Sequence, residues 1–238
     1  MRIATTETGK RRGDPAAVPE PAIAERGPNA DVAVVVVIFT VRREGLCVLL
    51  INRAAEPYAG HWALPGGLLL ANETLEDAAA RRLVRETGVA DLYLEQLYTF
   101  DAVDQDGGPR ATVAYFALVD EGQVRLEERT VWRPAWFVIA DLPQLAFNNN
   151  AIVDYALQRL RAKLGYSNVA WALVPERFTL TQLQRVYEAI LGRRLDKRNF
   201  RKRVLSLGFV EETSQFARSG AHRPARLYRF CSREPATF

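Results

Sequence analysis

The chain has 238 residues, 48% of them hydrophobic and 25% charged, with a net charge of +4. That is ample material for one large or two modest globular cores, and no apolar run approaches the ~20 residues a membrane-spanning helix requires. Its two cysteines, Cys47 and Cys231, speak against a disulfide framework and fit a reducing, cytoplasmic setting. Both lie in apolar, strand-like runs and are expected to be buried packing residues. The N-terminus lacks the apolar core of a secretory signal.

Residues 1–29 hold Pro15, Pro19, Pro21 and Pro28 and few large apolar side chains, so a disordered tail is expected. Its basic triplet Lys10, Arg11 and Arg12 reads as solvated charge. Asp31–Val41 (DVAVVVVIFTV) is a continuous β-branched run suited to a strand buried on both faces. A turn at Arg42–Gly45 leads to a second strand, Leu46–Arg53. In the following EPYAGHWALPGG run, Gly66 and Gly67 permit a sharp turn and a close backbone approach. Arg53 and Trp62 are candidate nucleotide contacts there, and Trp62 reads equally well as core.

The stretch from Gly67 to Val89 (GLLLANETLEDAAARRLVRETGV) is a Gly-rich loop entering a helix. Thr74 caps its start, Asp77 occupies the capping-box position, and Gly88 ends it in the left-handed conformation. Ala80, Leu83, Val84 and Thr87 are expected on one side; Arg82, Arg85 and Glu86 share the other at i, i+3 and i+4 spacing. Strands follow at Leu92–Phe100 and Thr112–Val119, separated by a polar loop with Asp101, Asp104, Asp106, Gly107, Gly108 and Arg110. Another strand spans Trp132–Ile139. Asn150–Leu164 then reads as a helix with Ile152, Tyr155, Ala156, Leu160 and Leu164 at helical spacing. A boundary between two domains, 30–165 and 166–238, is expected near Gly165–Pro175.

Beyond it, Thr179 and Gln182 form a capping box, and Leu180, Leu183, Val186, Tyr187 and Ile190 make an apolar stripe up to Gly192. Asp196 caps a second helix, Lys197–Leu207, stopped by Gly208. Phe200, Val204 and Leu207 dock it; Arg198 and Lys202 point away, flanked by Arg201 and Asn199. An apolar seam with a basic-plus-amide face suits a DNA groove, where Arg pairs bidentately with guanine and Asn with adenine. Two strands, Phe209–Thr213 and Arg226–Phe230, flank a loop with Arg218, His222 and Arg223, which completes a winged helix-turn-helix. From Arg193 to Arg233 there are twelve basic residues against Asp196, Glu211 and Glu212, so this segment carries +9 and the remainder −5. A basic module on an acidic one points to a polyanion partner at one end. Thr181, Lys197, Arg198, Asn199, Arg201, Lys202, Arg223 and Arg226 are the candidate DNA contacts. His61 and His222 are the only histidines, with no cysteines beside them, so no zinc site is expected. No serine sits in a nucleophile elbow.

Gly67, Glu73, Arg81, Leu83, Glu86, Gly88 and Val89 resemble the Nudix box in register. Arg82 and Arg85 stand where that family places glutamates that, with the match to Glu86, hold the metals activating water on a diphosphate. The substitution takes that face from −3 to +1, whereas magnesium wants hard oxygen ligands. Arg82 and Arg85 are then candidates to contact phosphates directly. The runs WALPGG, RFTLTQLQRVYEAILG, DKRNFRKRVLSLGF and RPARLYRF together resemble the Nudix-related transcriptional regulators of NAD metabolism. That resemblance implies an α+β chain, a Nudix α/β/α sandwich followed by a winged helix-turn-helix. It also implies a homodimer on operator DNA near NAD-biosynthesis genes, usually a repressor, released when ADP-ribose enters the Nudix pocket; some relatives answer to sugars. Arg53, Trp62, Gly66, Gly67, Arg81, Arg82, Arg85 and Glu86 are the candidate effector residues, with no metal required and no catalytic residue expected. The rival reading is an active Nudix pyrophosphatase that uses Glu73, Glu86 and the Asp101–Asp106 loop.

Overall fold

Val34–Thr40 are buried without interruption, and their side chains alternate between two cores. Val35, Val37 and Phe39 join one hydrophobic cluster; Val34, Val36 and Ile38 join another. Period-two alternation with both faces apolar makes this segment the centre of a covered sheet. The computed structural model describes residues 32–89, 92–101, 111–124, 126, 133–217 and 224–237. The expected tail, Asp104–Arg110 of the polar loop, Trp132, and Arg218, His222 and Arg223 lie outside these residues.

The strands and α-helices are β1 (Val32–Arg42), β2 (Gly45–Asn52), β3 (Trp62–Ala63), β4 (Gly66–Leu68), α1 (Leu75–Thr87), β5 (Tyr93–Asp101), β6 (Ala111–Leu118), β7 (Arg133–Val138), α2 (Asn149–Lys163), α3 (Leu180–Leu191), α4 (Lys197–Ser206), β8 (Val210–Ala217) and β9 (Ala225–Phe230). Short 3₁₀ turns occur at Glu121–Gln123, Ile139–Asp141 and Val169–Leu173. The first seven strands form one mixed sheet in the order β3-β2-β1-β6-β5, with β4 added to β1 and β7 to β2. β1 runs parallel to β6 and antiparallel to β2 and β4. α1 covers one face through Ala78, Ala79 and Leu83, and α2 covers the other through Ile152, Val153, Ala156 and Leu160. The result is the α/β/α sandwich expected. No helix among the described residues is long and apolar enough to cross a membrane.

α3, α4 and the β8–β9 hairpin form the winged helix-turn-helix. Both halves of the α3 capping box are present: Gln182 N donates to Thr179 Oγ1 at 3.2 Å, and Thr179 N donates to Gln182 Oε1 at 2.7 Å. Gly192 closes α3 at φ 67°, where a side chain would be strained. Asp196 Oδ1 accepts from Asn199 N at 2.8 Å and starts α4. Phe178, Leu183, Ile190, Phe200 and Val204 belong to the same cluster as Phe39 and Leu160, so this module packs onto the α2 side of the sandwich. Arg161 Nε adds a 2.9 Å bond to the Ile190 carbonyl.

Several sequence expectations are corrected. In α1 the buried stripe is Ala78, Ala79, Leu83, Glu86 and Thr87, while Val84 is 42% exposed. Small alanines let the helix approach the sheet along a line rotated from the one that includes Ala80 and Val84. Tyr155 is exposed and packs on Tyr98 and edge-on to Phe100 rather than entering the core. Cys47 is buried, but Cys231 lies just past β9 and is exposed. β8 continues to Ala217, beyond the expected Thr213. β3 and β4 carry too few residues for a periodic signal; they exist because β2 and β1 present edges to pair with.

Candidate functional site

The Gly-rich loop and α1 are locked together by one ion pair. Arg81 Nε and Nη2 donate to Glu73 Oε1 and Oε2 at 2.6 and 2.8 Å, and Glu73 Oε2 also accepts from Leu70 N at 3.2 Å. The Arg81 hydrogen bonds hold the Glu73 carboxyl below the usual carboxylate range. This fork–fork pairing commits Arg81, a candidate effector residue, to its neighbour. Thr74 Oγ1 accepts from Asp77 N at 3.1 Å and fixes the first turn.

Arg82 behaves differently. Its guanidinium lies against Gly67, so close that a methyl group added there would fall 2.1 Å from Nη2. It makes no hydrogen bond among the described residues. Burial, then the like charges of Arg81 and Arg85, push it down to about 10. It remains a cation at neutral pH, with Glu86 and Glu73 opposing part of that shift. Arg85 Nε stands 3.6 Å from Glu86 Oε1, and Glu86 is only 7% exposed. Gly66 serves the strand: a Cβ would meet Val35 Cγ1 at 2.7 Å and prevent β4 from pairing with β1.

A divalent cation fits this donor set poorly. On the face shared by Arg82, Arg85 and Glu86, the one carboxylate, Glu86, is already beside Arg85, and Arg82 adds a second positive charge. Hard cations need several oxygen ligands. No group of three potential ligands is found among the described residues. Asp101 ends β5, while Asp104 and Asp106 lie outside the described residues. The arrangement suits an anion instead, with guanidinium donors at a glycine turn.

The other candidate effector residues are held nearby in sequence but engaged locally. Arg53 Nε donates to the Pro57 carbonyl at 2.9 Å, and its Cζ sits 4.8 Å from the Phe147 ring centroid. It orders the loop that returns to β3. Trp62 packs on Phe137 with centroids 4.7 Å apart, and its carbonyl accepts from Ala146 N at 2.8 Å. Phe147 had no sequence signal, because it is brought in from the loop before α2.

On the winged module, Lys197, Arg198, Asn199, Arg201 and Lys202 are all exposed on α4. Phe200 and Val204 are buried beneath them, with Tyr187 edge-on to Phe200 at 5.2 Å. The docking seam and the polar face separate as the helical spacing predicts. Thr181, at the start of α3, and Lys197 line one surface cavity of about 250 Å³ with Arg185 and Arg194. On the wing, Arg226 pairs with Glu212 and lies 5.3 Å over the Phe216 ring; Arg229 Nε pairs with Glu211 at 2.6 Å. The count of +9 already includes Glu211 and Glu212; what it does not reveal is that they pair with Arg229 and Arg226 on the hairpin.

A Nudix-type sandwich joined to a winged helix defines the class: a Nudix domain carrying a DNA-binding module. The NUDIX domain family matches residues 30–159, and the NrtR DNA-binding winged helix domain matches residues 170–230. The chain is 38% identical over 210 residues, 85% of its length and 83% of the relative's, to the ADPR responsive transcriptional repressor NtrR of Acinetobacter baylyi. It superposes on the crystal structure of Shewanella oneidensis NrtR complexed with a 27mer DNA with a TM-score of 0.74. The identity there is 34%, and the match covers 84% of this chain and 93% of that one. An ADP-ribose pyrophosphatase of Methanocaldococcus jannaschii is 31% identical over 110 residues, 45% of this chain and 64% of that enzyme. The chain therefore belongs to the NrtR family of Nudix-related transcriptional repressors.

Proposed function

We propose that this protein is a cytoplasmic repressor of NAD-supply genes that grips operator DNA as a homodimer and releases it when ADP-ribose fills the Nudix pocket. One observation carries the effector reading: Arg82 presents a half-buried guanidinium without a hydrogen bond among the described residues, against Gly67. A diphosphate supplies both the acceptors and the negative charge that this group lacks. Arg85 reinforces the attraction, and no magnesium is required. The relative from Acinetobacter baylyi, described as ADPR responsive, supports the same effector. On the DNA side, Arg198, Asn199, Arg201 and Lys202 of α4 read base edges, and Thr181, Lys197, Arg223 and Arg226 contact the backbone.

The effector can release DNA only if it binds the DNA-free arrangement more tightly than the bound one. A coupling of ~1–3 kcal/mol weakens operator binding about 5–150-fold. A gel-shift titration with ADP-ribose tests this; operator affinity unmoved at saturating effector refutes the switch.

A second reading, an active pyrophosphatase, is favoured by the similarity to the Methanocaldococcus jannaschii enzyme. It requires a metal beside Glu86. Release of AMP and ribose phosphate from ADP-ribose in magnesium, abolished by Glu86→Gln, would establish it; no turnover supports the repressor without hydrolysis.

A further inference from the structure

Between α2 and α3 runs a buried connector whose contacts neither effector binding nor DNA reading explains. Its 3₁₀ turn, Val169–Leu173, presents Trp171 to both halves of the molecule. On one side the Trp171 ring meets Tyr93 of β5 edge-on, with centroids 6.2 Å apart, and Tyr93 packs on Phe116 of β6 at 5.5 Å. Leu94, the neighbour of Tyr93 in β5, packs on the opposite face with Ala78, Ala79 and Leu83 of α1, so the helix carrying Arg82 and Arg85 and the Trp171 contact meet the same strand from its two sides. On the other side, Arg233 lies 5.3 Å over the Trp171 ring. Its Nη2 donates to the carbonyls of Trp171 and Val174 at 3.0 and 3.1 Å.

Arg233 belongs to the segment that leaves the wing strand β9 and turns back over the connector. Asn168, 3% exposed, ties that segment down with three bonds. Its N donates to the Ala236 carbonyl at 3.0 Å, its Nδ2 to the Glu234 carbonyl at 2.8 Å, and its Oδ1 accepts from Ala236 N at 2.9 Å. Ser167 pairs with Thr237 in an isolated bridge. The wing is thus fastened to the connector by its own trailing chain. Within this fastening, Trp171 Nε1 is a buried donor with no hydrogen-bond partner among the described residues. An unmade buried hydrogen bond raises the energy of the arrangement that contains it. A rotation of the ring that reaches an acceptor relieves that cost, so this contact is biased to respond when its neighbours move.

We infer that Trp171 and Arg233 are positioning residues for the effector response, joining movement of α1 and β5 to the pose of the wing through the strapped connector. The inference rests on the repressor reading above. A ligand on Arg82 shifts α1 and the strand behind it; the Tyr93–Trp171 contact passes the shift to the connector, and Arg233 passes it to β9.

The test measures three quantities in the full chain: operator affinity without effector, ADP-ribose affinity without DNA, and the factor by which each changes the other. Arg233→Ala is expected to leave both separate affinities within about twofold while the coupling factor falls from the usual 5–150-fold range to below about threefold. Arg233→Lys, which keeps the charge but not the planar double donor, should be intermediate. Hydrogen exchange gives a readout without DNA: the amides of Asn168 and Ala236 should change protection when ADP-ribose binds. Full coupling retained in Arg233→Ala, or amide exchange at both positions indifferent to ADP-ribose, overturns the inference. If Arg233→Ala fails to fold, Trp171→Phe keeps an aromatic ring between Tyr93 and Arg233 while removing the orphan N–H and part of the indole; unchanged coupling in that variant overturns the inference equally. A wild-type protein that binds ADP-ribose and operator independently overturns the switch itself and this route with it. A coupled wild type with equally coupled variants overturns the route alone.

Discussion

Gly67 and Arg82 occupy one another's space: the position of a Gly67 side chain is already filled by the Arg82 guanidinium, 2.1 Å away. The glycine of the loop therefore does more than turn the chain. It admits a cation to the turn that leads into α1.

Two substitutions follow from that contact. Arg82→Ala is expected to weaken metal-free ADP-ribose binding by ~1.5–3 kcal/mol, the range for hydrogen bonds to charged groups, with operator affinity in the absence of effector unchanged. Gly67→Ala should produce a similar loss by displacing the guanidinium while leaving it present. Calorimetry on the full chain checks both. Tighter binding in an Arg82→Glu, Arg85→Glu double variant without metal would contradict the pocket proposed above.

The DNA face makes a separable prediction. Arg198→Ala or Arg201→Ala should cost ~1–3 kcal/mol on operator DNA and relax discrimination at one base pair, if the residue reaches a base edge. Lys197→Ala should weaken all sequences evenly and reduce the salt slope by about one. Filter binding at several salt concentrations distinguishes the two behaviours. Arg226 is expected to contribute less than either, because Glu212 already neutralises it.

Acid should loosen the box before it unfolds the sheet. The Glu73 carboxyl is depressed by Arg81, so its unfolded pKa, about 4.3, exceeds its folded one. The stabilisation is fully present above the unfolded value and is lost as pH falls through the folded value. Thermal midpoints measured from neutral pH downward should fall more steeply for wild type than for Glu73→Gln, which lacks the titrating pair. Equal slopes would show that the pair contributes nothing to stability.

Thr179→Ala removes one half of the capping box on α3 and should cost about 1 kcal/mol. Since α3 packs in the core shared with the sandwich, chemical denaturation should show the loss in the whole transition rather than in the winged module alone. A separate early transition for the helices would show that the two halves unfold independently.

Much of this was legible along the chain because the signals are local. β1 announces itself as an unbroken β-branched run, the caps at Thr74, Thr179 and Asp196 mark three helix starts, and the period of Phe200 and Val204 separates the buried side of α4 from its basic side. The two arginines in the box declare a changed charge without any coordinates. What local pattern lacks is the direction from which distant residues arrive. Whether Arg81, Arg82 or Arg85 keeps a free guanidinium depends on where Glu73 and Glu86 fall in space, and only folding assigns Glu73 to Arg81 and leaves Arg82 at Gly67. Val84 and Glu86 exchange their expected surroundings because the sheet, not the helix, decides which stripe is covered. The neutralisation of Arg226 by Glu212, the ring of Phe147 beneath Arg53 and the return of Arg233 to Trp171 join residues far apart in the chain or in opposite strands. Short-range propensity sets secondary structure and charge. Long-range packing alone determines which of those charges remain available to a ligand.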